Sequence, residues 1–226
     1  MPRLLSSVAL ALIAALAVPA QAAVFYSNDF EATAAGMSGA GFLAGSQGFS
    51  AFGFGNQYFR NASTGNPAAS SVLGLSLGSA ATSVTLNFDL AAIDSWDGAN
   101  CCGPDFFNVK LDGATIYSKN FDIFGSPSTG PELTNLVYGP DIAVSGWGDQ
   151  GYKVALSLGN LAAGAHTIEF FTSGTGWQGG DDESFAIDNV VVEGNGVGNG
   201  QLPEPGSLAL WGLALLGAGA VRRRRA

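Results

Sequence analysis

Hydrophobic and polar residues alternate with a period of two in several short stretches of the chain. In residues 82–90, TSVTLNFDL, the apolar residues Val84, Leu86, Phe88 and Leu90 fall on one face and polar residues fall on the other. Strict alternation of this kind is typical of a strand with one buried face. The same pattern recurs in FNVKL at 107–111, YKVALSL at 152–158, HTIEFF at 166–171 and FAIDNVVV at 185–192.

Turn-forming residues separate these stretches, among them Asp112-Gly113, Gly125-Ser126-Pro127 and Gly139-Pro140. Weaker strand patterns occur at 24–30, 58–62 and 72–77, and no stretch between 23 and 200 has the periodicity and caps of a helix. Eight to ten short strands at this spacing predict an all-β fold, a two-sheet antiparallel sandwich of jelly-roll type. A closed barrel is the alternative.

The N-terminal residues have the features of a secretory signal. Arg3 precedes an apolar stretch from Val8 to Val18, and Ala20-Gln21-Ala22 provides small residues around a cleavage position. The apolar stretch is shorter than the roughly 20 residues of a membrane span. We therefore expect residues 1–22 to form a signal helix that is removed, 23–193 to form the sandwich, and the uncharged segment 194–202 to be a flexible linker.

The C-terminal segment 203–226 is apolar and ends in arginines. Ser207–Val221 has no polar face, and as a helix it would rise about 22 Å, which is short of the roughly 30 Å hydrocarbon core. Bilayer thinning and snorkelling arginine side chains can close such a gap. The terminal cluster, Arg222, Arg223, Arg224 and Arg225, predicts a single membrane helix with its C-terminal end in the cytoplasm and the sandwich outside.

With Pro203, Glu204 and Pro205 in front of the hydrophobic span and the arginine cluster, the segment 203–226 resembles the PEP-CTERM sorting signal. The resemblance implies recognition and removal of the tail by an exosortase-type membrane transpeptidase, with membrane anchoring only until processing. It also implies a Gram-negative source and delivery to the outer surface or to an exopolysaccharide or biofilm matrix.

Charge narrows the possible partners. Without the predicted signal and tail, the chain has four basic residues (Arg60, Lys110, Lys119 and Lys153) against 17 acidic ones, a net charge of about −13. Four scattered cations cannot form a basic patch, which argues against nucleic-acid binding. This charge suits an extracellular protein that meets neutral polymers or divalent cations.

Acidic residues gather in three segments. Within the segment 94–113, Asp94, Asp97 and Asp105 lie in a predicted glycine-rich loop between the strand patterns at 82–90 and 107–111. Two further groups of acidic residues lie outside this segment. These groups are Asp181, Asp182, Glu183 and Asp188 in 179–192, and Asp29 and Glu31 near the predicted mature start. Carboxylates with few cations nearby suit a hard cation with oxygen ligands, although solvated loops are an equal alternative for 94–105.

Two short motifs resemble calcium-containing jelly-roll domains such as carbohydrate-binding modules. They are Phe30-Glu31 near the start and Phe185-Ala186-Ile187-Asp188-Asn189-Val190 in the last strand pattern. The resemblance implies a structural Ca²⁺ that ties the first strand to the last, with Glu31 and Asp188 as ligands and Asp29 as the next candidate.

Tryptophans supply candidate ligand contacts. Trp96, Trp147 and Trp177 lie in glycine- and acid-rich segments, where they can stack on sugar rings while Asp94, Asp97 and Asp105 bond hydroxyls. Capping of the core ends is the alternative for each tryptophan. The adjacent Cys101 and Cys102 allow free thiols, a strained bond between neighbours, or cross-links between chains.

Catalysis has less support in the sequence. The one G-x-S-x-G match, Gly74-Leu75-Ser76-Leu77-Gly78, falls on the strand pattern 72–77 and not at the strand-to-helix turn of a nucleophile elbow. The one histidine, His166, lies at the start of a strand pattern where a hydrogen-bonding role is expected. Loop carboxylates such as Asp94, Asp97 and Glu183 leave a polysaccharide-degrading enzyme as the alternative. The main expectation is a secreted, non-catalytic β-sandwich that binds an extracellular polysaccharide or builds the matrix.

Overall fold

A computed structural model describes residues 22–99, 102–144 and 146–196 of the 226-residue chain. These residues form two antiparallel sheets, one of seven strands and one of five, which confirms the predicted all-β sandwich. The predicted signal helix, the hydrophobic C-terminal helix and Pro203-Glu204-Pro205 lie outside the described residues. Within those residues, no helix is both long and apolar enough to cross a membrane.

Twelve strands occur in the described part of the chain. In order they are β1 (Ala23–Asn28), β2 (Met37–Gly39), β3 (Phe42–Gly45), β4 (Gln57–Asn61), β5 (Ser71–Leu77), β6 (Ala81–Asp94), β7 (Asp105–Leu111), β8 (Ala114–Asn120), β9 (Leu133–Tyr138), β10 (Gln150–Leu161), β11 (Gly164–Gly174) and β12 (Glu183–Gly196). The seven-stranded sheet has the order β3-β4-β12-β6-β10-β9, with β1 also paired to β12, and the five-stranded sheet has the order β2-β5-β11-β7-β8. Both sheets have free edges, so the closed barrel is excluded.

The main core lies between the sheets and is aromatic at its centre. Phe88 of the seven-stranded sheet packs on Phe107 and Phe170 of the other sheet, with ring centroids 6.0 and 5.5 Å apart. All three rings are buried. Burying a side chain of this size contributes about 1.5–3 kcal/mol, so these contacts hold the sheets together.

A second apolar cluster covers part of the outer face of the seven-stranded sheet. Ala91 and Ile93 of β6 pack there against Phe49 and Tyr58, and the chain over them forms a short 3₁₀ helix at Gln47–Phe52. Alternation of burial in β6 therefore stops after its first half, because the second half is covered on both faces. No capped helix was expected between 23 and 200, and this short 3₁₀ helix does not contradict that expectation, because it has no side-chain cap.

Two sequence expectations need correction. Strand β12 continues to Gly196, three residues into the predicted linker, because Asn195 and Gly196 still pair with Thr82 and Ala81 of β6. The expected eight to ten strands become twelve, and the four strands without a predicted pattern, β2, β3, β8 and β9, are the end strands of the two sheet orders. Strand β1 also has one neighbour only, β12, and its weaker pattern at 24–30 was predicted. A strand at an edge has one paired neighbour and is covered less, so its sequence needs less strict alternation.

The β7–β8 hairpin turns at Asp112-Gly113, as the sequence predicts, with both residues at positive φ (49° and 80°). Asp112 also contacts β11: its Oδ2 lies 2.7 Å from His166 Nδ1, and its Oδ1 accepts the N–H of Thr167. His166 Nε2 lies 3.0 Å from the carbonyl oxygen of Ala162. The hydrogen-bonding role expected for His166 is thus confirmed.

We expect the His166–Asp112 pair to stabilise the fold in a pH window. The Ala162 carbonyl, followed by the Asp112 carboxylate, raises the pKa of His166 above its ordinary 6.5, so its contribution is complete below pH 6.5 and is lost as pH rises through the raised pKa. His166 in turn lowers the pKa of Asp112, so the pair weakens again in strong acid. Chemical denaturation should show His166→Gln destabilised by about 0.2–1 kcal/mol at pH 5.5 and by less at pH 8.5. An equal loss at both pH values would contradict the ionic contribution.

Candidate functional site

Four loops meet at one end of the sandwich and form a cleft of about 420 Å³, here called the loop-end cleft. The loops connect β6 to β7, β8 to β9, β9 to β10, and β11 to β12. Main-chain hydrogen bonds from Ser95 to Asp182 (3.0 Å) and from Ile123 to Trp96 (3.1 Å) hold three of them together. The cleft is lined by Ser95, Asp97, Cys102, Phe124, Trp147, Gln178 and Asp182.

One wall of the loop-end cleft is aromatic and open to solvent. Trp147 is 49% exposed and Phe124 is 50% exposed, and their rings meet edge to face with centroids 6.0 Å apart. The lining also contains polar groups, with Ser95 Oγ donating to Asp182 Oδ1 at 3.1 Å. An exposed aromatic face beside carboxylate and amide groups is the combination that stacks on a ring and bonds its hydroxyls.

The other two tryptophans belong to the core, which corrects the expectation that they stack on sugar. Trp96 is fully buried and donates from Nε1 to the Ser184 carbonyl at 2.9 Å. Trp177 is 6% exposed and donates from Nε1 to the Ser63 carbonyl at 3.1 Å. Their ring centroids lie 5.3 Å apart. They cap the core beneath the cleft, and neither presents a ring face to solvent.

Three carboxylates converge beneath the cleft, and we call them the tricarboxylate cluster. Asp97, Asp105 and Glu183 each place one oxygen within 4.8 Å of the others, and all three are buried. Asp105 begins β7 and Glu183 begins β12, so only Asp97 lies in the loop. Burial rules out the solvated loop considered for Asp97 and Asp105.

Each of the two innermost carboxylates uses one oxygen and leaves the other without a partner. Asp105 Oδ2 accepts the N–H of Asp97 at 2.7 Å, and Glu183 Oε2 accepts the N–H of Gln178 at 2.6 Å. Asp105 Oδ1 and Glu183 Oε1 are buried and have no hydrogen-bond partner among the described atoms. Burial, and then the charge of Asp105, raises the pKa of Glu183 well above its usual range, and burial likewise raises the pKa of Asp105.

Asp94 is the last residue of β6 and lies beside the cleft, buried to 2% exposure. Its main-chain N–H donates to Asp149 Oδ1 at 2.8 Å, while its own Oδ1 has no partner among the described atoms. Burial, followed by the charges of Asp149 and Asp182, raises the pKa of Asp94 to about 6. Asp149 is better satisfied, because it also accepts the N–H groups of Ile142 and Ala143.

Glu31 and Asp188, the residues implied as calcium ligands, both lie on the side of Gly55 where a Cβ would project. A Cβ at Gly55 would lie 2.1 Å from Glu31 Oε1 and 3.5 Å from Asp188 Oδ2. Glu31 accepts from the Gln57 N–H and the Asn56 side chain, and Asp188 accepts from the Gly55 and Asn189 N–H groups.

Burial raises the pKa of Asp188 to about 6, and the charges of Asp89 and Glu31 add to the rise. Asp29 Oδ1 accepts the N–H of Glu31 at 3.2 Å, which closes a turn. Glu31, which follows β1, and Asp188 of β12 both bond the segment 55–57, and every carboxylate oxygen of the two residues already accepts one hydrogen bond.

The four cations of the described residues are engaged away from the tricarboxylate cluster. Arg60 pairs with Asp181, Lys119 with Glu132, and Lys153 with Asp89. Lys110 lies over the Phe171 ring, 4.6 Å from its centroid.

Cys102 also lines the cleft and is disulfide-bonded, which excludes a free thiol at this position. Cys101 lies outside the described residues.

Ser95, Phe124 and Gln178 of the cleft were not predicted as site residues. One indication for Phe124 is present in the sequence: it is a large aromatic residue directly before the turn residues Gly125-Ser126-Pro127, where side chains are usually exposed. Ser95 and Gln178 carried none, because their place in the cleft comes from loop packing.

No protein-family model and no curated protein sequence matches the chain. Solved structures do resemble it. A family 22 xylan-binding domain from Paenibacillus barcinonensis aligns over 80% of this chain and 100% of its own, with 11% identity and a TM-score of 0.43.

A family 35 carbohydrate-binding module from an environmental isolate aligns over 79% and 99%, with 19% identity and a TM-score of 0.40. A family 61 module, solved with β-1,4-galactotriose, aligns over 70% and 88%, with 10% identity and a TM-score of 0.38. At this level of likeness the ligands of these modules do not transfer to this chain.

Proposed function

We propose that the sandwich is a non-catalytic glycan-binding module that takes a neutral extracellular polysaccharide in the loop-end cleft. The observation that carries the proposal is the exposed Trp147–Phe124 pair in the same cleft as Asp97, Asp182 and Gln178. Sugar rings present apolar C–H faces and equatorial hydroxyls, which suit a π-face flanked by carboxylate and amide acceptors and donors.

Charge selects the class of glycan. The cleft contains Asp97 and Asp182, and no Lys or Arg is among its described lining residues. Uronate or sulfate groups would meet repulsion there, whereas neutral sugars would not. The competing hypothesis is a structural role in the matrix without ligand binding. That role does not explain why Trp147 and Phe124 are exposed at the cleft.

A second cleft of about 290 Å³ lies on the outer face of the seven-stranded sheet. Its polar lining includes Asn87, Asp89, Lys153 and Asn189, but its one aromatic residue, Phe88, is 2% exposed. Without an accessible ring it offers hydrogen bonds and no stacking surface. The loop-end cleft is therefore the better candidate.

We expect Trp147→Ala to weaken glycan binding about tenfold or more, because aromatic side chains that become buried on binding carry most of the energy of such contacts. Affinity electrophoresis against soluble xylan, galactan and β-glucan, with polygalacturonate as the acidic probe, measures the effect. Phe124→Ala should weaken the same interaction. Phe42→Ala is the matched control, since Phe42 is 51% exposed but lies on the edge strand β3.

Equal retardation of the Trp147→Ala and Phe42→Ala variants would exclude this cleft as the binding site. Absence of retardation by every glycan would favour the purely structural role. The enzyme alternative needs carboxylates that reach substrate, and Asp94 and Glu183 are 2% and 0% exposed. Release of reducing sugar by the wild-type chain, lost in Asp97→Asn, would replace the binding proposal with that alternative.

We also propose that the tail directs this module to the cell surface or matrix. The support is the ordered set of Pro203-Glu204-Pro205, an apolar span and four terminal arginines behind a signal sequence. In this proposal an exosortase-type transpeptidase cleaves near the triplet, the membrane helix anchors the chain only before processing, and the arginines keep the helix end in the cytoplasm.

Replacing Pro203, Glu204 and Pro205 with alanine should leave the chain cell-associated with its tail intact. Mass spectrometry of the cell and medium fractions measures processing in a Gram-negative host that contains the transpeptidase. The same host without that enzyme is the control and should retain the unaltered chain in the same way. Processing of the triple variant at the normal level would contradict the sorting role of the triplet.

We propose, on the resemblance of the first and last strands, that Glu31 and Asp188 hold a structural Ca²⁺. The closeness of the two carboxylates around Gly55 supports it, and one further lone pair on each oxygen is left for a cation. Asp29 is the less favoured ligand, because its Oδ1 caps the Glu31 N–H.

An ion that binds only the folded state stabilises it by about 2.7 kcal/mol at 100 times its dissociation constant, a shift of several degrees in melting temperature. We expect Glu31→Gln to reduce the shift that calcium produces over chelator-treated protein. Glu193→Gln, on the same strand as Asp188, is the control and should respond like the wild type. A Glu31→Gln variant with the full calcium response would remove this site from consideration.

A further inference from the structure

The tricarboxylate cluster has two buried carboxylate oxygens that accept no hydrogen bond from an N–H group or a hydroxyl of the described residues, and the Asp105 and Glu183 carboxyl groups lie within hydrogen-bonding reach of each other. Asp105 and Glu183 are each 0% exposed, and each fixes one carboxylate oxygen with a main-chain N–H. The remaining oxygens, Asp105 Oδ1 and Glu183 Oε1, have no hydrogen-bond partner among the described atoms. A buried acceptor without a partner is costly, so a folded protein that keeps two side by side has a reason to do so.

The surrounding chain does not supply a counter-charge. All four lysines and arginines of the described residues contact other groups: Asp181, Glu132, Asp89 and the Phe171 ring. Asp97 adds a third carboxylate, and one oxygen from each of Asp97, Asp105 and Glu183 lies within 4.8 Å of the other two. Three oxygens of this kind facing one another form the donor set of a hard divalent cation.

We propose that Asp97, Asp105 and Glu183 bind a divalent cation of the calcium type beneath the loop-end cleft. Two oxygens on opposite sides of Ca²⁺ are separated by about 4.8 Å at Ca–O bonds of about 2.4 Å, and all three ligand oxygens lie within that distance. Mg²⁺ binds at about 2.0–2.1 Å in strict octahedral geometry and keeps its waters, which suits a buried, irregular set less well.

The ion would join three segments that are distant in sequence. Asp97 belongs to the β6–β7 loop, Asp105 to the start of β7 and Glu183 to the start of β12. Gly174 and Gly176 make room at the cluster, since a Cβ at these positions would lie 2.9 Å from Asp105 Oδ1 and 3.1 Å from Asp97 Oδ2. The cluster is separate from the Glu31–Asp188 pair, because Glu183 and Asp188 are five residues, about 16 Å, apart along β12.

Calorimetric titration tests the proposal on the full-length chain after treatment with chelator. Calcium chloride is titrated at pH 7.5, and magnesium chloride is titrated separately. We expect the wild type to bind calcium at the cluster, Asp97→Asn to weaken that binding about tenfold or more, and Glu183→Gln to abolish it. Asp181→Asn is the matched control, because this acidic residue lies two positions from Glu183 but its side chain is 80% exposed.

Three further results decide the outcome. Glu31→Gln should keep the binding event that Glu183→Gln loses, which separates the two calcium sites and makes the result independent of glycan binding. If Glu183→Gln does not fold by circular dichroism, Asp97→Asn in the loop carries the test. The proposal is overturned if folded Asp97→Asn binds calcium as the wild type does. It is also overturned if the wild type binds no calcium. In that case a proton shared by Asp105 and Glu183 satisfies the oxygens that have no other partner.

Discussion

The antiparallel pairing of β12 with β6 determines the position of almost every other part of the molecule. The two strands pair from Glu183 opposite Asp94 to Gly196 opposite Ala81. The outer edge of β12 carries β4 and β1, and the outer edge of β6 carries β10. Because this ladder ends at Glu183 and Asp94, its register places both carboxylates under the four loops, whereas Asp188 further along β12 meets Glu31.

The strands of this central ladder were predictable, and the end strands of the two sheet orders were not. Strands β6, β10 and β12 pack one face on the aromatic core, so at least part of each shows alternation or a valine run in the sequence. Strands β2, β3, β8 and β9 have a neighbour on one side only, and their positions depend on pairing instead of burial.

The site was predictable in its residue types and less so in its geometry. The sequence indicated acidic segments and three tryptophans, yet only Trp147 is exposed at the cleft, since Trp96 and Trp177 pack together beneath it. Phe124, Ser95 and Gln178 reach the cleft through loop packing that no local pattern encodes. The acids for which a solvated loop was an equal alternative are buried, because the ends of β6, β7 and β12 meet there.

Asp97 belongs both to the tricarboxylate cluster and to the lining of the loop-end cleft. Two ligands that share a side chain are thermodynamically linked. If the bound ion changes the affinity for sugar by some factor, bound sugar changes the affinity for the ion by the same factor. On the proposed function, the strength of attachment to a polysaccharide would then follow the free calcium of the surrounding medium. Adhesion would be set by the chemistry of the environment, without any change in how much of the protein is secreted.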